Sequence, residues 1–527
     1  MMPAIDLQLK NYRCFPDSRP ARISIRPGFS AFVGVNNVGK SALLKFFFEF
    51  RNLLSLLSAP SGNLIGALHG QAQGSWGLPG TIRDPVEMFT NTNDRNLEIA
   101  ISAPPSIAGP RITLSLSISR PALQWTATIL RGDQKLVGSS LIYDDQSAIV
   151  ESGTGTRVDL TPIFNGCREL ARSLYIGPFR NVINVGGATN YFDIRVGQQF
   201  VQAWRQYKTG PSIKQNEAAY RLTRDIERLF QFKDLDINPS PNDDTLQLFV
   251  NGRSFALSEL GGGVSQFIVV LANVAVQEPA FVLIDEPELN LHPTLQLEFL
   301  TTLGSYATQG VIFCTHSVGL ARAGADQIYA VRKLQDFESE VTPYESVIRL
   351  SEFLGELSFA GYRDLGINKV LLVEGPTDVK AVQQILRLYR KEHDVLLLPL
   401  GGNSLINAGC EAQLVELKRI SEQIIAVIDS ERASAGEPLS ANRQGFVDAC
   451  SRARVRCHVL ERRALENYFP DRVVKAVKGE EYSTLGPYQK LKDLARPWSK
   501  EENWKLARAM TRQEVDGSDL GPFFASI

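Results

Sequence analysis

Gly34-Val35-Asn36-Asn37-Val38-Gly39-Lys40-Ser41 is the stretch from which the rest of this sequence is best read. It fits G-x-x-x-x-G-K-[ST], with the apolar run Phe29 to Val33 before it and a Leu- and Phe-rich run at 41–57 after it. Strand, glycine loop and helix in that order are what a phosphate-binding loop requires. Glycines let backbone N–H groups close around phosphates, and the helix N-terminus adds a positive dipole. In that geometry Gly34, Asn37 and Gly39 shape the cradle, Lys40 reaches the β- and γ-phosphates of ATP, and Ser41 ligates the Mg²⁺ that accompanies the nucleotide.

Two later segments complete such a site. Phe281 to Ile284 reads as a buried strand running into Asp285-Glu286-Pro287, where Asp285 belongs in the Mg²⁺ shell and Glu286 orients the attacking water. The next strand, Val311 to Cys314, ends at Thr315-His316-Ser317 and puts a histidine where it can sense the γ-phosphate. With these residues in this order the chain resembles the ABC-type ATPases of the RecF and SMC group. In that group a signature segment of one subunit caps the nucleotide held by another. Leu260-Gly261-Gly262-Gly263-Val264-Ser265-Gln266 is similar, and Gly263 is its expected nucleotide contact. Gly261 stands where the group has serine, so a hydroxyl contact to the γ-phosphate is missing, although N–H groups at the helix start still suit phosphate.

Composition limits the alternatives. At 527 residues, 21% charged and 44% hydrophobic, the chain has the make-up of a globular protein of two or more domains. A formal net charge of -1 means that any binding of nucleic acid must use local basic patches. Six cysteines without C-x-x-C spacing read as reduced thiols. Met1 to Lys10 lacks the pattern of a secretory signal and no apolar run approaches a membrane span, so a cytoplasmic protein without a membrane partner is expected.

Working outward, Ile5 to Leu9 and Ala21 to Ile25 read as strands, and 95–160 as a β-rich edge with alternating runs at Ile112 to Ile118 and Trp125 to Leu130. Residues 190–235 read as helical, with Phe200, Val201, Trp204, Tyr207, Ile226, Leu229 and Phe230 at helical spacing. They either pack within one chain or form a dimerising insertion. A second alternation of strand and helix begins at Lys369 and recurs through Leu396 and Ile424, with 340–366 as the boundary. The expected division is 1–165 and 239–345 for the two halves of an ATPase, 166–238 for the helical insertion and 367–527 for a further α/β domain.

That last domain carries acids at strand ends. Val370 to Val373 delivers Glu374-Gly375, with Asp378 at the start of the following helix, and Ile424 to Ile428 ends at Asp429-Ser430-Glu431. The ligand-bearing edge of an open α/β sheet lies there. Residues two apart on extended chain point the same way, so Asp429 and Glu431 are expected to reach one metal ion. Four carboxylates together repel unless Mg²⁺ or Mn²⁺ neutralises them, and a pair of ions suits phosphodiester chemistry.

Glu374-Gly375-Pro376-Thr377-Asp378, the Gly401-Gly402 turn and Asp429-Ser430-Glu431 look like the Toprim domain of topoisomerases, primases and certain nucleases, with Glu431 in place of its second Asp. Leu460 to Phe469, with Glu466 before Asn467-Tyr468, resembles the OLD (overcoming lysogenization defect) endonucleases, an ABC-type ATPase joined to a Toprim domain. Tyr175-Ile176-Gly177-Pro178-Phe179-Arg180 resembles a recurrent segment of that family, in which Arg180 either contacts phosphate or forms a salt bridge. The resemblance implies Glu466, in preference to Glu461, as a further metal ligand. It also implies a C-terminal lysine at the scissile phosphate, Lys500 with Lys505 in reserve, a solvated surface lysine being the competing reading. His292 is read as structural.

On that resemblance the chain is expected to be a DNA endonuclease under ATP control, working as a homodimer or higher homo-oligomer in defence against phage. Two divalent ions sit in its Toprim site, on Glu374, Asp378, Asp429, Glu431 and Glu466, and Glu374 helps activate water. A helicase or other defence protein is a candidate partner. The rivals are an ATP-gated DNA clamp whose Toprim domain does not cut, and a topoisomerase that uses Tyr468.

Overall fold

The computed structural model of the chain describes residues 2–80, 82, 84–104, 110–120, 122–136, 140–143, 148–151, 155–178, 190–289, 291–334, 338–344, 369–392, 394–400, 406, 408–418 and 423–527. Phe179, Arg180, Asn290, the Gly401-Gly402 turn and most of the expected boundary at 340–366 lie outside them. Two compact units are formed. One comprises Met1–Leu291, Thr302–His316 and Gln327–Tyr344, the other His292–Thr301, Ser317–Asp326 and Glu345–Ile527. The 166–238 stretch does not separate from the first unit.

The first unit is built on a six-stranded sheet in the order Leu174–Ile176, Phe281–Asp285, Gly310–Thr315, Gly28–Val33, Gln327–Lys333 and Ser339–Pro343. The first five strands run parallel and the last is antiparallel. Phe281–Asp285 and Gly310–Thr315 are buried along their whole length, which is why they read as unbroken apolar runs. Register sets Asp285 beside Cys314 and Cys314 beside Phe32, so three strands end at one edge.

A second, antiparallel sheet follows the order Ala21–Ile25, Ile5–Lys10, Leu97–Ala103, Ile112–Ile118, Trp125–Arg131 and Gln134–Lys135. Its alternating burial matches the alternation in the sequence. The helix expected over 41–57 is two helices, Lys40–Glu49 and Arg51–Leu56. They divide at Phe50, whose ring stacks on Phe46 at 4.8 Å and on Trp76 at 5.1 Å.

Gly197–Thr209 and Ile213–Leu229 are helices, as their periodicity predicts. Phe200, Val201, Trp204, Tyr207, Ile226 and Leu229 are buried within the chain, and Trp204 Nε1 donates to the Ile237 carbonyl at 3.0 Å. These apolar positions therefore pack inside their own unit. Ile213 and Tyr220 remain exposed on the second helix.

The second unit holds a four-stranded parallel sheet in the order Val395–Pro399, Lys369–Val373, Gln423–Ile428 and Arg456–Val459. Alternate residues feed two cores. Leu371 and Val373 pack with helix Pro376–Leu388 and the C-terminal helices, whereas Val370 and Leu372 pack with Leu414, Phe446 and Cys450. The chain lays its first strand centrally, goes to one side and then returns to the other. The strand order thus reverses between Lys369–Val373 and Gln423–Ile428, which opens a crevice at their carboxyl ends. No helix among the described residues is long and apolar enough to cross a membrane.

Candidate functional site

The parallel order places the strand ending in His316 between the strands leading to Lys40 and to Glu286. Lys40 Nζ donates to the Gly34 and Val35 carbonyls, each at 2.8 Å, and lies 3.3 Å from His316 Nδ1. On the other side of the ring, His316 Nε2 is 2.9 Å from Glu286 Oε1. Lysine, histidine and glutamate thus form one chain of contacts. Burial pushes the Lys40 ammonium down, while neighbouring Cys314 and the carboxylates Asp285, Glu286 and Glu288 act the other way.

The loop itself is built for close approach. Gly39 has φ 97°, and a Cβ there would lie 2.4 Å from Cys14 Sγ; one at Gly34 would lie 2.3 Å from the Val331 carbonyl oxygen. Asn37 and Glu286 also occupy the left-handed region, at φ 60° and 53°. Non-glycine residues accept that strain mainly where surrounding structure enforces it.

Asp285 is 2% exposed, and neither of its carboxylate oxygens has a hydrogen-bond partner among the described residues. Burial drives its carboxyl up, and the nearby Ser41 hydroxyl opposes this. A buried carboxylate so placed beside Ser41 and Lys40 fits a hydrated Mg²⁺. In front of it lies a cleft of about 830 Å³, lined by Asn36–Ser41, Arg13, Thr90, Glu286, His316 and Lys333 among others. Sequence reading missed Glu288. Its Oε1 accepts from the Thr315 hydroxyl at 2.6 Å and from the His316 amide at 2.9 Å, clamping the turn that carries the histidine. The signature segment starts helix Gly262–Gln277, with Ser265 turned inward to the Leu257 carbonyl at 2.8 Å. Gly261 and Gly262 are exposed, and Gly263 follows them on the first turn.

This loop, sheet and acid set define a P-loop nucleotide-binding domain of the ATPase type. Residues 29–322, more than half of the chain, match the family described as "AAA domain, putative AbiEii toxin, Type IV TA system", and the chain belongs to that family. Among solved structures it is similar to the SMC head domain from Thermotoga maritima, at 17% identity over 66% of this chain and 100% of that one, with a TM-score of 0.33. It is also similar to an Smc head domain bound to the C-terminal domain of ScpA, derived from Pyrococcus furiosus, at 12% identity over 68% of this chain and 100% of that one, with a TM-score of 0.36. No curated protein matches the sequence.

The second unit gathers its acids at the crevice where the strand order reverses. Asp378 Oδ2 accepts from the Gly375 amide at 2.9 Å, and Asp429 Oδ1 from the Leu465 amide at 3.1 Å. Glu466, 2% exposed, receives Asn503 Nδ2 at 3.1 Å and Lys500 Nζ at 2.8 Å. Burial, then the charge of Glu466, raises the Asp378 carboxyl to about 7, with Lys500 opposing. Asp429 is driven well up by burial and by Asp378, Glu374 and Glu466. Like charges held close in a buried place call for a cation, so these residues fit a divalent metal.

Two expectations change here. The chain is not extended after Ile428, where the strand ends; Glu431 has φ 53° and is half-exposed, so it does not share a face with Asp429. Glu374 also lacks a disengaged oxygen. Its Oε1 accepts from Arg443 at 2.7 Å, and its Oε2 accepts from Arg443 at 2.8 Å and from the Asp429 amide at 3.0 Å. An activator of water needs an oxygen facing the water, so the expected role of Glu374 does not suit this arrangement. Among the described residues no group of three or more His, Cys, Asp or Glu side chains stands arranged around a common metal position.

Lys500, for which a solvated surface position competed, sits on Glu466, whereas Lys505 lies over the Trp504 ring at 5.8 Å. Tyr468 is buried and its hydroxyl donates to Asp519 Oδ1 at 2.7 Å. It is occupied as a packing residue. Arg443 was missed because an isolated arginine near the start of helix Ala441–Arg452 belongs to no motif; only the excess of acids hinted at a buried counter-charge.

Proposed function

We propose that this protein is an ATP-binding, divalent-metal-dependent DNA endonuclease whose nucleotide site regulates cutting, acting as a homodimer or higher homo-oligomer in defence against phage. The observation that carries the reading is the crevice at the sheet's switch point, lined by Asp378 and Asp429, where the Leu465 amide on Asp429 brings the neighbouring Glu466 and its Lys500 alongside. Asp378, Asp429 and Glu466 would hold divalent ions, with Glu374 and Glu431 alongside. Mg²⁺ or Mn²⁺ bound there supplies charge neutralisation at a phosphodiester, in the two-metal class of chemistry. Lys500, half-exposed beside Glu466, offers positive charge to the scissile phosphate. In the ATPase unit, Glu286 orients water for hydrolysis of ATP and His316, held by Glu286 and the Glu288 clamp, follows the γ-phosphate.

Supercoiled plasmid incubated with the full chain and Mg²⁺ or Mn²⁺ should be nicked or linearised, and Asp429→Ala should abolish this. Cleavage by the variant at the wild-type rate would remove the assignment. The alternative is an ATP-gated DNA clamp that binds without cutting. Nucleotide-dependent DNA retention without cleavage, and without calorimetric heat on adding Mn²⁺ to the nucleotide-free chain, would select it.

A further inference from the structure

Arg443 is the most thoroughly engaged cation in the second unit's crevice. Its side chain is 2% exposed. Nη2 lies 2.7 Å from Glu374 Oε1 and 3.2 Å from Glu431 Oε1, while Nη1 donates to Glu374 Oε2 at 2.8 Å and to the Asp429 carbonyl at 2.7 Å. The five acids therefore fall into two sets. Beside Asp378 and Asp429, Glu466 holds Lys500, a flexible point charge that is half-exposed. Glu374 and Glu431 share a planar guanidinium that matches carboxylate geometry and is locked from the far side by a backbone carbonyl.

We propose that Arg443 competes with a second divalent ion for Glu374 and Glu431, so that the two metal positions of this site fill in order and with unequal affinity. The proposal rests on the metal-site reading above. Asp378 and Asp429 line one crevice, with Glu466 and its Lys500 joined to it through the Leu465 amide on Asp429, and these acids form the high-affinity position. Glu374 and Glu431 become ligands only after Arg443 releases them, and that release breaks a buried bidentate pair.

The test is titration of the full-length, nucleotide-free protein with Mn²⁺, free ion being followed by electron paramagnetic resonance. Sites lost in Asp429→Ala define the crevice. The wild type should show one tight and one weak class. Arg443→Gln should tighten the weak class by roughly 10- to 100-fold, the range over which groups that hold metal ligands act, and Arg443→Lys should fall between. Glu431→Gln, at a half-exposed position where folding is not at stake, should remove the weak class and leave the tight one. Two equal classes in the wild type, or a weak class indifferent to both Arg443→Gln and Glu431→Gln, would overturn the proposal and leave the metal site standing. No binding sensitive to Asp429→Ala would overturn both.

Discussion

Asp378 caps its own helix through the Gly375 amide while facing Glu466 and Glu374, and its carboxyl is raised from an ordinary 3.8 to about 7. The sign of the consequence follows from proton uptake. Between about pH 4 and about 7 the folded chain holds a proton on Asp378 that the unfolded chain has lost, so stability is fully present below this window and falls as pH rises through it. Thermal melts in EDTA should therefore give Asp378→Asn a lead over the wild type that is smallest near pH 4, widens toward pH 7 and then levels off. A lead independent of pH would mean that Asp378 is ionised throughout.

Elements are fixed by similar side-chain ties. The helix that opens with Lys40 ends at Glu49, which is 3% exposed, accepts from the Tyr12 hydroxyl at 2.8 Å and pairs with Arg13. The same Tyr12 hydroxyl lies 3.0 Å from the Ala42 carbonyl, so both ends of this helix approach the turn after the first strand. Glu49→Ala would leave Arg13 and Tyr12 without their carboxylate in a largely buried place. A loss of about 3 kcal/mol in denaturant unfolding of the first unit is expected, with weaker nucleotide binding because the phosphate loop loses its backing. An unchanged unfolding midpoint would show that the tie contributes nothing. The division of the expected single helix at Phe50 belongs to this scale too, since the Phe46–Phe50–Trp76 stack outweighs local helix preference there.

At the scale of the whole molecule, the signature segment is informative through what its glycines do not touch. A Cβ added at Gly261 or Gly262 meets nothing within 4 Å among the described residues. Packing within the unit therefore gives no reason for these glycines, whereas the proposed homodimer, closing over nucleotide, would. Gly262→Val should melt at the wild-type temperature within about 1–2 °C, since an exposed site away from special contacts costs little. It should nevertheless fail to associate when ATP is added in a Glu286→Gln background, chosen because Glu286 is the proposed water-orienting residue, as read by sedimentation velocity. Association equal to that of the Glu286→Gln parent would place the closing surface elsewhere.

Much of this was legible in the sequence because it depends on local order along the chain. The strand before Gly34, the loop through Ser41 and the acids after Ile284 and Ile428 occupy the ends of apolar runs, and a buried parallel strand can hardly hide its composition. The sequence alone thus determined a P-loop domain, the strand-end positions of Lys40, Ser41, Asp285, Glu286 and His316, and a second α/β unit with acids at its strand ends. Tertiary structure alone decided how charges pair across long separations. It brought Arg443 to Glu374, Lys500 to Glu466 and Glu288 to the His316 turn, and it turned Glu431 away from Asp429 with one left-handed residue. Burial makes each of these pairings consequential, and burial is set by the assembled sheet and its helices, which no short stretch of sequence records.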